Sequence, residues 1–182
     1  MDFQQSQTFK NLQTAFDWEV NVSTTYSIYG DTARQEGYIQ IGNIFDIISR
    51  NEKEHARIWM RKMNNGTLPD TQESLRHCAE LELYSGNQLY REFARVAREE
   101  GFDDLASLFN GVANIELNHN SIFTRNLSNV EANQVFCKEE TTLWICMQCG
   151  NILSGNCAPD ICPICGYPQG YYLLYNSECD IG

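Results

Sequence analysis

The chain has 182 residues, a formal charge of −11 and 42% apolar residues, enough for one or two domains with a buried core. The acidic excess argues against nucleic acid or an anionic membrane as partner, since both need clustered Lys and Arg. No apolar run reaches the roughly 18 residues of a membrane span. The opening Met1-Asp-Phe-Gln-Gln-Ser-Gln7 lacks the basic and apolar regions of a signal peptide, so a soluble, cytoplasmic protein is expected.

Residues 6–127 read as four long helices, because Pro is nearly missing and apolar residues recur at helical spacing. Helix A, 6–35, carries Phe9, Leu12, Phe16, Glu19 and Tyr26 near one face, and Gly37 marks a turn. Helix B, 38–63, sets Phe45, Ile48, Glu52, His55 and Trp59 in one phase, and Asn64-Asn-Gly-Thr-Leu-Pro-Asp70 breaks it. Helix C, 71–99, carries Leu75, Ala79, Glu82, Tyr90 and Phe93, and Gly101 repeats the Gly37 turn. Helix D, 102–127, sets Phe109, Val112, Glu116, His119 and Phe123 in the phase of helix B. A linker of mixed polarity is expected over 128–142, followed by a cysteine-rich segment with Trp144, Tyr167, Tyr171 and Tyr172.

The two hairpins A–B and C–D repeat one another. Glu52-Lys-Glu-His55 returns 64 residues later as Glu116-Leu-Asn-His119, and Ala33-Arg-Gln-Glu-Gly-Tyr38 returns as Ala97-Arg-Glu-Glu-Gly-Phe102. Residues three apart on a helix project from one side, so each Glu-x-x-His word aims a carboxylate and an imidazole together. Their apolar neighbours place them toward the core, where unpartnered charge is too costly and a bound cation removes the objection. Helices A and C each add one carboxylate in phase, Glu19 and Glu82. Four Glu and two His, distributed in this way, form the ligand set of ferritin-like di-metal bundles. Hard carboxylates with imidazole suit iron or manganese. Glu19 and Glu82 are assigned terminal roles, Glu52 and Glu116 bridge, and His55 and His119 cap one metal each. Tyr26 and Tyr90 are candidate donors to the ligand carboxylates.

One irregularity lies on helix C. Glu19 precedes Tyr26 by seven residues, whereas Glu82 precedes Tyr90 by eight. An extra residue turns a side chain by about 100° on a straight α-helix, and a π-bulge between 82 and 90 would absorb it.

Cys146-x-x-Cys149 and Cys162-x-x-Cys165 form a four-thiolate site for zinc or a single iron. Gly150 and Gly166 follow the second cysteine of each pair, and permit tight turns whose N–H groups point at sulfur. Cys78, Cys137, Cys157 and Cys179 are expected to be free thiols, and His77 a surface residue. No dinucleotide or phosphate-binding loop motif is present, so any nicotinamide or flavin reductase would be a separate protein.

Together these features resemble the rubrerythrin family along nearly the whole chain. The residues carrying the resemblance are Trp18-Glu19, the Glu-Gly turns at 36–37 and 100–101, Glu52-Lys-Glu-His-Ala56 and Tyr90-Arg-Glu-Phe-Ala94. Trp144-Ile-Cys-Met-Gln-Cys-Gly150 with Ala158-Pro-Asp-Ile-Cys-Pro-Ile-Cys-Gly166 adds to them. The resemblance implies a mainly α, ferritin-like four-helix di-iron domain over 1–135 and a rubredoxin-like Fe(Cys)4 domain over 136–182. It also implies a di-iron peroxidase that reduces hydrogen peroxide to water in oxidative-stress defence, with two irons per chain at the helical site and one at the four cysteines. A reductase using NAD(P)H, or a rubredoxin-type donor, would supply the electrons. The residues matching its motifs are Glu19, Glu52, His55, Glu82, Glu116 and His119 for the iron pair, with Cys146, Cys149, Cys162 and Cys165 for the single iron. Ser85 stands where the family has a further Glu that exchanges with the helix B histidine, so a site that stays symmetric is expected. The rival readings are a di-iron oxidase and an iron-handling ferritin-like protein with an electron-transfer domain.

A homodimer is implied, and chain length suggests that it is swapped. In a ferritin-like bundle helices B and C run parallel, so their link must return about 30 Å, whereas residues 64–71 extend at most about 25 Å. Packing A–B of one copy on C–D of another relieves the shortfall.

Overall fold

Ser6 opens the first helix, accepting from the Phe9 N–H at 3.1 Å, and so satisfies one of the N–H groups that a helix start leaves unpaired. In the computed structural model, which describes residues 2–175, this helix is α1, Gln7–Gln35. It is followed by α2, Ile39–Met63. The chain divides into two units between Pro69 and Asp70. The first is the α1–α2 hairpin. The second contains α3 (Thr71–Tyr84), α4 (Tyr90–Glu99), α5 (Asp103–Glu131) and a small sheet. No helix among the described residues is long and apolar enough to cross a membrane.

The two hairpin turns are copies. Gly37 and Gly101 adopt φ of 89° and 85°, the left-handed conformation that glycine reaches without a Cβ clash. Tyr38 N–H then reaches Ala33 C=O, and Phe102 N–H reaches Ala97 C=O, both at 2.8 Å. Asp70 and Glu73 form a reciprocal capping box that starts α3.

Between α3 and α4 the helix makes one π turn, Ser85–Leu89. It falls where the extra residue of the repeat had to be absorbed. The helix therefore stays continuous without the regular α-helical register that a straight helix C would need.

Both hairpins pack through small residues. Their buried positions are Gly30, Ala33, Gly42 and Ala56 in the first unit, and Ala79, Gly86, Ala94, Ala97, Ala106 and Ala113 in the helices of the second. Gly30 and Gly42 correspond to Ala94 and Ala106 in the repeat. A Cβ added at Gly42 would lie 2.9 Å from the Gly30 carbonyl oxygen and 2.8 Å from Arg34 Cγ. The backbone oxygen cannot yield, so α1 and α2 would have to separate. Gly42→Ala is expected to destabilise the first hairpin by about 1–3 kcal/mol, read as a lower urea midpoint.

The sheet has the order β2-β1-β3, with β1 Cys137–Cys146, β2 Ile152–Cys157 and β3 Tyr172–Leu174. Its core is Trp144, Cys146, Ala158, Cys162 and Tyr172, and Trp144 Nε1 donates to Gly155 C=O at 3.1 Å. Helix α5 runs to Glu131 and β1 starts at Cys137, so the linker is only residues 132–136, shorter than 128–142.

Cys137 and Cys157 are not free thiols. They face each other across the antiparallel pair β1–β2 and form a disulfide. Cys78 is free and half-buried, and His77 is exposed. Cys179 lies outside the described residues. The disulfide closes a chain separation of 20 residues, which restricts the unfolded chain by about 3 kcal/mol. Reduction, or Cys137→Ser, is expected to lower the stability of the sheet by that amount, measured by chemical denaturation followed through Trp144 fluorescence.

Candidate metal centres

Each helical unit gathers one carboxylate–imidazole triad. In the first, His55 Nδ1 lies 2.8 Å from Glu52 and 3.8 Å from Glu19. In the second, His119 Nδ1 lies 3.0 Å from Glu116 and 3.8 Å from Glu82. Within each triad the donor atoms lie within 4.8 Å of one another. The two triads match to 0.2 Å although Glu82 sits one residue out of the repeat. The π turn accounts for this. It lies after Glu82, absorbs the extra residue there, and leaves Glu82 in the phase that Glu19 holds on α1.

The triads are open on one side. Their carboxylates are 18–25% exposed, whereas His55 and His119 are 49% and 44% exposed. Large apolar side chains on the same helices are also uncovered, among them Trp18, Ile44 and Ile48 in the first unit, and Leu81, Leu108 and Ile115 in the second. A hydrogen bond with Glu116, then burial and the Glu116 charge, hold the Glu82 carboxyl above the usual glutamate range against the pull of His119.

The hairpins differ at the level of the π turn. Ser23 donates to Ser49 C=O at 2.8 Å, and Ser49 donates back to Ser23 C=O at 2.7 Å. In the second hairpin the facing pair is Gly86 and Ala113, and the backbones approach directly. Tyr26 packs on Phe45, with centroids 6.3 Å apart, and Tyr90 on Phe109, at 6.2 Å. Among the described residues neither hydroxyl makes a hydrogen bond to a carboxylate.

The four cysteines converge. Cys146 Sγ lies 3.7 Å from Cys165 Sγ, and Cys149 Sγ lies 3.7 Å from Cys162 Sγ. A tetrahedral metal with bonds of about 2.3 Å to sulfur needs edges of roughly 3.8 Å, so the quartet fits such an ion. Gly150 and Gly166 both adopt φ of 75°, and donate to Cys146 C=O at 2.8 Å and Cys162 C=O at 2.9 Å. These turns aim N–H groups of Ile164 and Cys165 at Cys162, and that of Asn151 at Cys149. The Tyr172 hydroxyl first, and then these N–H groups acting against burial, pull the Cys162 thiol down to about 6. The helical triads fit a harder ion, since each offers two carboxylates and one imidazole.

Two carboxylate–imidazole triads on repeated helices, joined in one chain to a four-sulfur knuckle, define a metal-binding protein with a helical carboxylate–histidine part and a four-cysteine part. The rubrerythrin family model matches residues 10–125 and 78–143, and the model of the rubrerythrin rubredoxin-like domain matches residues 144–172. The chain is 36% identical to Rubrerythrin-1 of Clostridium acetobutylicum, over 95% of this chain and 96% of that one. It is 37% identical to a rubrerythrin of Clostridium perfringens, over 93% and 95%, and 33% identical to that of Nitratidesulfovibrio vulgaris, over 93% and 94%. The chain belongs to the rubrerythrin family. It is mainly helical with a small Cys-rich strand domain, and it carries candidate di-iron carboxylate–histidine sites and a four-Cys rubredoxin-like site.

Proposed function

We propose that this chain is a non-haem di-iron peroxidase that reduces hydrogen peroxide to water in oxidative-stress defence. The observation that carries the reading is the presence, in one chain, of two geometrically matched triads and a sulfur quartet with tetrahedral edges. Glu19, Glu52, His55, Glu82, Glu116 and His119 would hold the iron pair, and Cys146, Cys149, Cys162 and Cys165 the single iron. Iron so held would supply the two electrons that, with two protons, convert hydrogen peroxide to two waters, and iron at the four cysteines would return electrons to it one at a time. The residues of the chain do the rest. Glu82, whose carboxyl Glu116 and burial hold above the usual glutamate range, stands beside Glu116 as a proton donor. Tyr26 and Tyr90, two turns along from Glu19 and Glu82, place phenolic hydroxyls in an aromatic wall with Phe45 and Phe109. Residues 1–135 form the catalytic part and 136–182 the relay, fed by a separate NAD(P)H-dependent reductase or a rubredoxin-type donor in the cytoplasm.

Stopped-flow oxidation of the reduced, iron-loaded protein tests this. Peroxide should oxidise it much faster than oxygen; equal rates would point to an oxidase instead. A storage protein would take up iron well beyond three ions per chain.

The same reading includes a homodimer in which α1–α2 of one copy completes the site with α3–α5 of another. The short 64–70 link, the matched triads and the uncovered apolar faces support it. Complementation decides it. A copy with Glu52→Ala and His55→Ala is refolded together with a copy carrying Glu116→Ala and His119→Ala. Exchange predicts about a quarter of wild-type activity, since half the dimers are mixed and each has one intact site. Two sites each built within one chain predict none.

A further inference from the structure

Tyr172 is a buried phenol in the sulfur domain that the proposed reaction does not use. It lies on β3 directly across from Cys146 on β1, is 3% exposed, and packs with Trp144, Cys146 and Cys162 in one core cluster. Its hydroxyl is buried and, among the described residues, closes no hydrogen bond of good geometry. A buried donor left unpaired costs roughly 1–3 kcal/mol, so a position that keeps a hydroxyl where phenylalanine would fill the same space needs a reason. Two groups lie against the hydroxyl, the sulfur of Cys162 and the side chain of Asn151. A neutral thiol is a weak acceptor, whereas a thiolate is a charged one. The missing partner therefore comes into being when Cys162 becomes a thiolate ligand.

We propose that the Tyr172 hydroxyl donates a hydrogen bond to the Cys162 thiolate and thereby sets the reduction potential of the four-sulfur iron. The reduced site carries one more negative charge than the oxidised site, spread over the sulfurs. A donor at sulfur stabilises that extra charge and raises the potential. Backbone N–H groups of Ile164 and Cys165 also serve this sulfur, so Cys162 gathers backbone and side-chain donors, while the contact of Cys149 is the Asn151 N–H. Tyr172 is a positioning and tuning residue, because it acts on the iron only through its ligand. The inference rests on iron occupying the four cysteines, as in the proposed function.

The test is spectroelectrochemical titration of the iron–thiolate colour in the full-length, iron-loaded protein. Tyr172→Phe should keep the colour and lower the potential, shifting the ratio of reduced to oxidised iron at fixed poise by about tenfold, or 59 mV for one electron. Tyr171→Phe, at an exposed neighbour, should leave the potential in place. Site-specific 3-fluorotyrosine at 172, a stronger donor of nearly the same size, should raise it above wild type, and it decides the matter if the Phe variant fails to load iron. An unchanged potential in the Phe variant, or none of the expected rise with fluorotyrosine, overturns the proposal. A wild-type protein without iron–thiolate colour would instead overturn the reading of the sulfur site, and this inference with it.

Discussion

Glu116→Ala is expected to lower peroxide turnover at least about a hundredfold and to reduce bound iron toward the single sulfur-held ion, with the iron–thiolate colour retained. Glu116 is the most connected donor of its triad. It lies 3.0 Å from His119 Nδ1, and its carboxylate is the main cause of the raised Glu82 value. Removing it leaves Glu82 and His119, two donors where three converged, and takes away the main cause that raises Glu82. Glu116→Gln keeps volume and hydrogen-bonding capacity but loses charge, so it should retain some iron and less activity. Glu80→Ala, on α3 beside Glu82 but exposed, should change neither. Chelator-based iron counts with peroxide kinetics on the same preparations check all three. Full iron occupancy in Glu116→Ala would remove this residue from the ligand set.

The helical half of the chain was nearly all legible in the sequence, because each signal was local. Ser6 and Asp70 are capping residues, Gly37 and Gly101 need a left-handed turn, and the start of each helix came within about two residues of its observed position. The triads were legible because three-residue spacing fixes direction on a helix. The extra residue before Tyr90 was legible for the same reason, and the π turn at Ser85–Leu89 is its physical form. The disulfide was not legible, because its pairing depends on a bulge. A straight continuation of the ladder from Ile145↔Ile152 would set Asp160 against Cys137. The register shift between Cys137 and Thr142 brings Cys157 there instead, with Asn156 donating to Glu139 C=O at 2.8 Å and accepting from Thr141 at 3.1 Å. The Tyr172 hydroxyl was missed because the sequence marks an aromatic core position and says nothing of where its oxygen ends.

Gly86→Ala is expected to destabilise the second helical unit by about 1–3 kcal/mol and to weaken iron binding at its triad. A Cβ at Gly86 would lie 2.7 Å from Leu117 Cγ and 2.9 Å from the Ala113 carbonyl oxygen. Leu117 could rotate, but the Ala113 backbone could not, so α5 would have to move away from the π turn. Leu117 adjoins Glu116, and Gly86 stands one turn after Glu82, so that movement would separate the Glu82 and Glu116 carboxylates. Gly111, on the facing helix α5, supplies the opposite case. It is exposed, a Cβ there meets nothing within 4 Å, and Gly111→Ala should stabilise the unit by about 0.5–1 kcal/mol through helix propensity alone. Urea midpoints and iron counts on the pair separate close packing from propensity. The first hairpin shows why the glycine is specific to the π turn. There a regular helix keeps enough space for the reciprocal Ser23–Ser49 hydrogen bonds, whereas the widened turn of the second hairpin occupies that space with backbone. Ser23→Gly should therefore cost its hairpin hydrogen bonds without improving its fit. A Gly86→Ala variant with unchanged midpoint and iron content would show that α5 can yield here, and that the phase of Glu82 does not depend on the close approach.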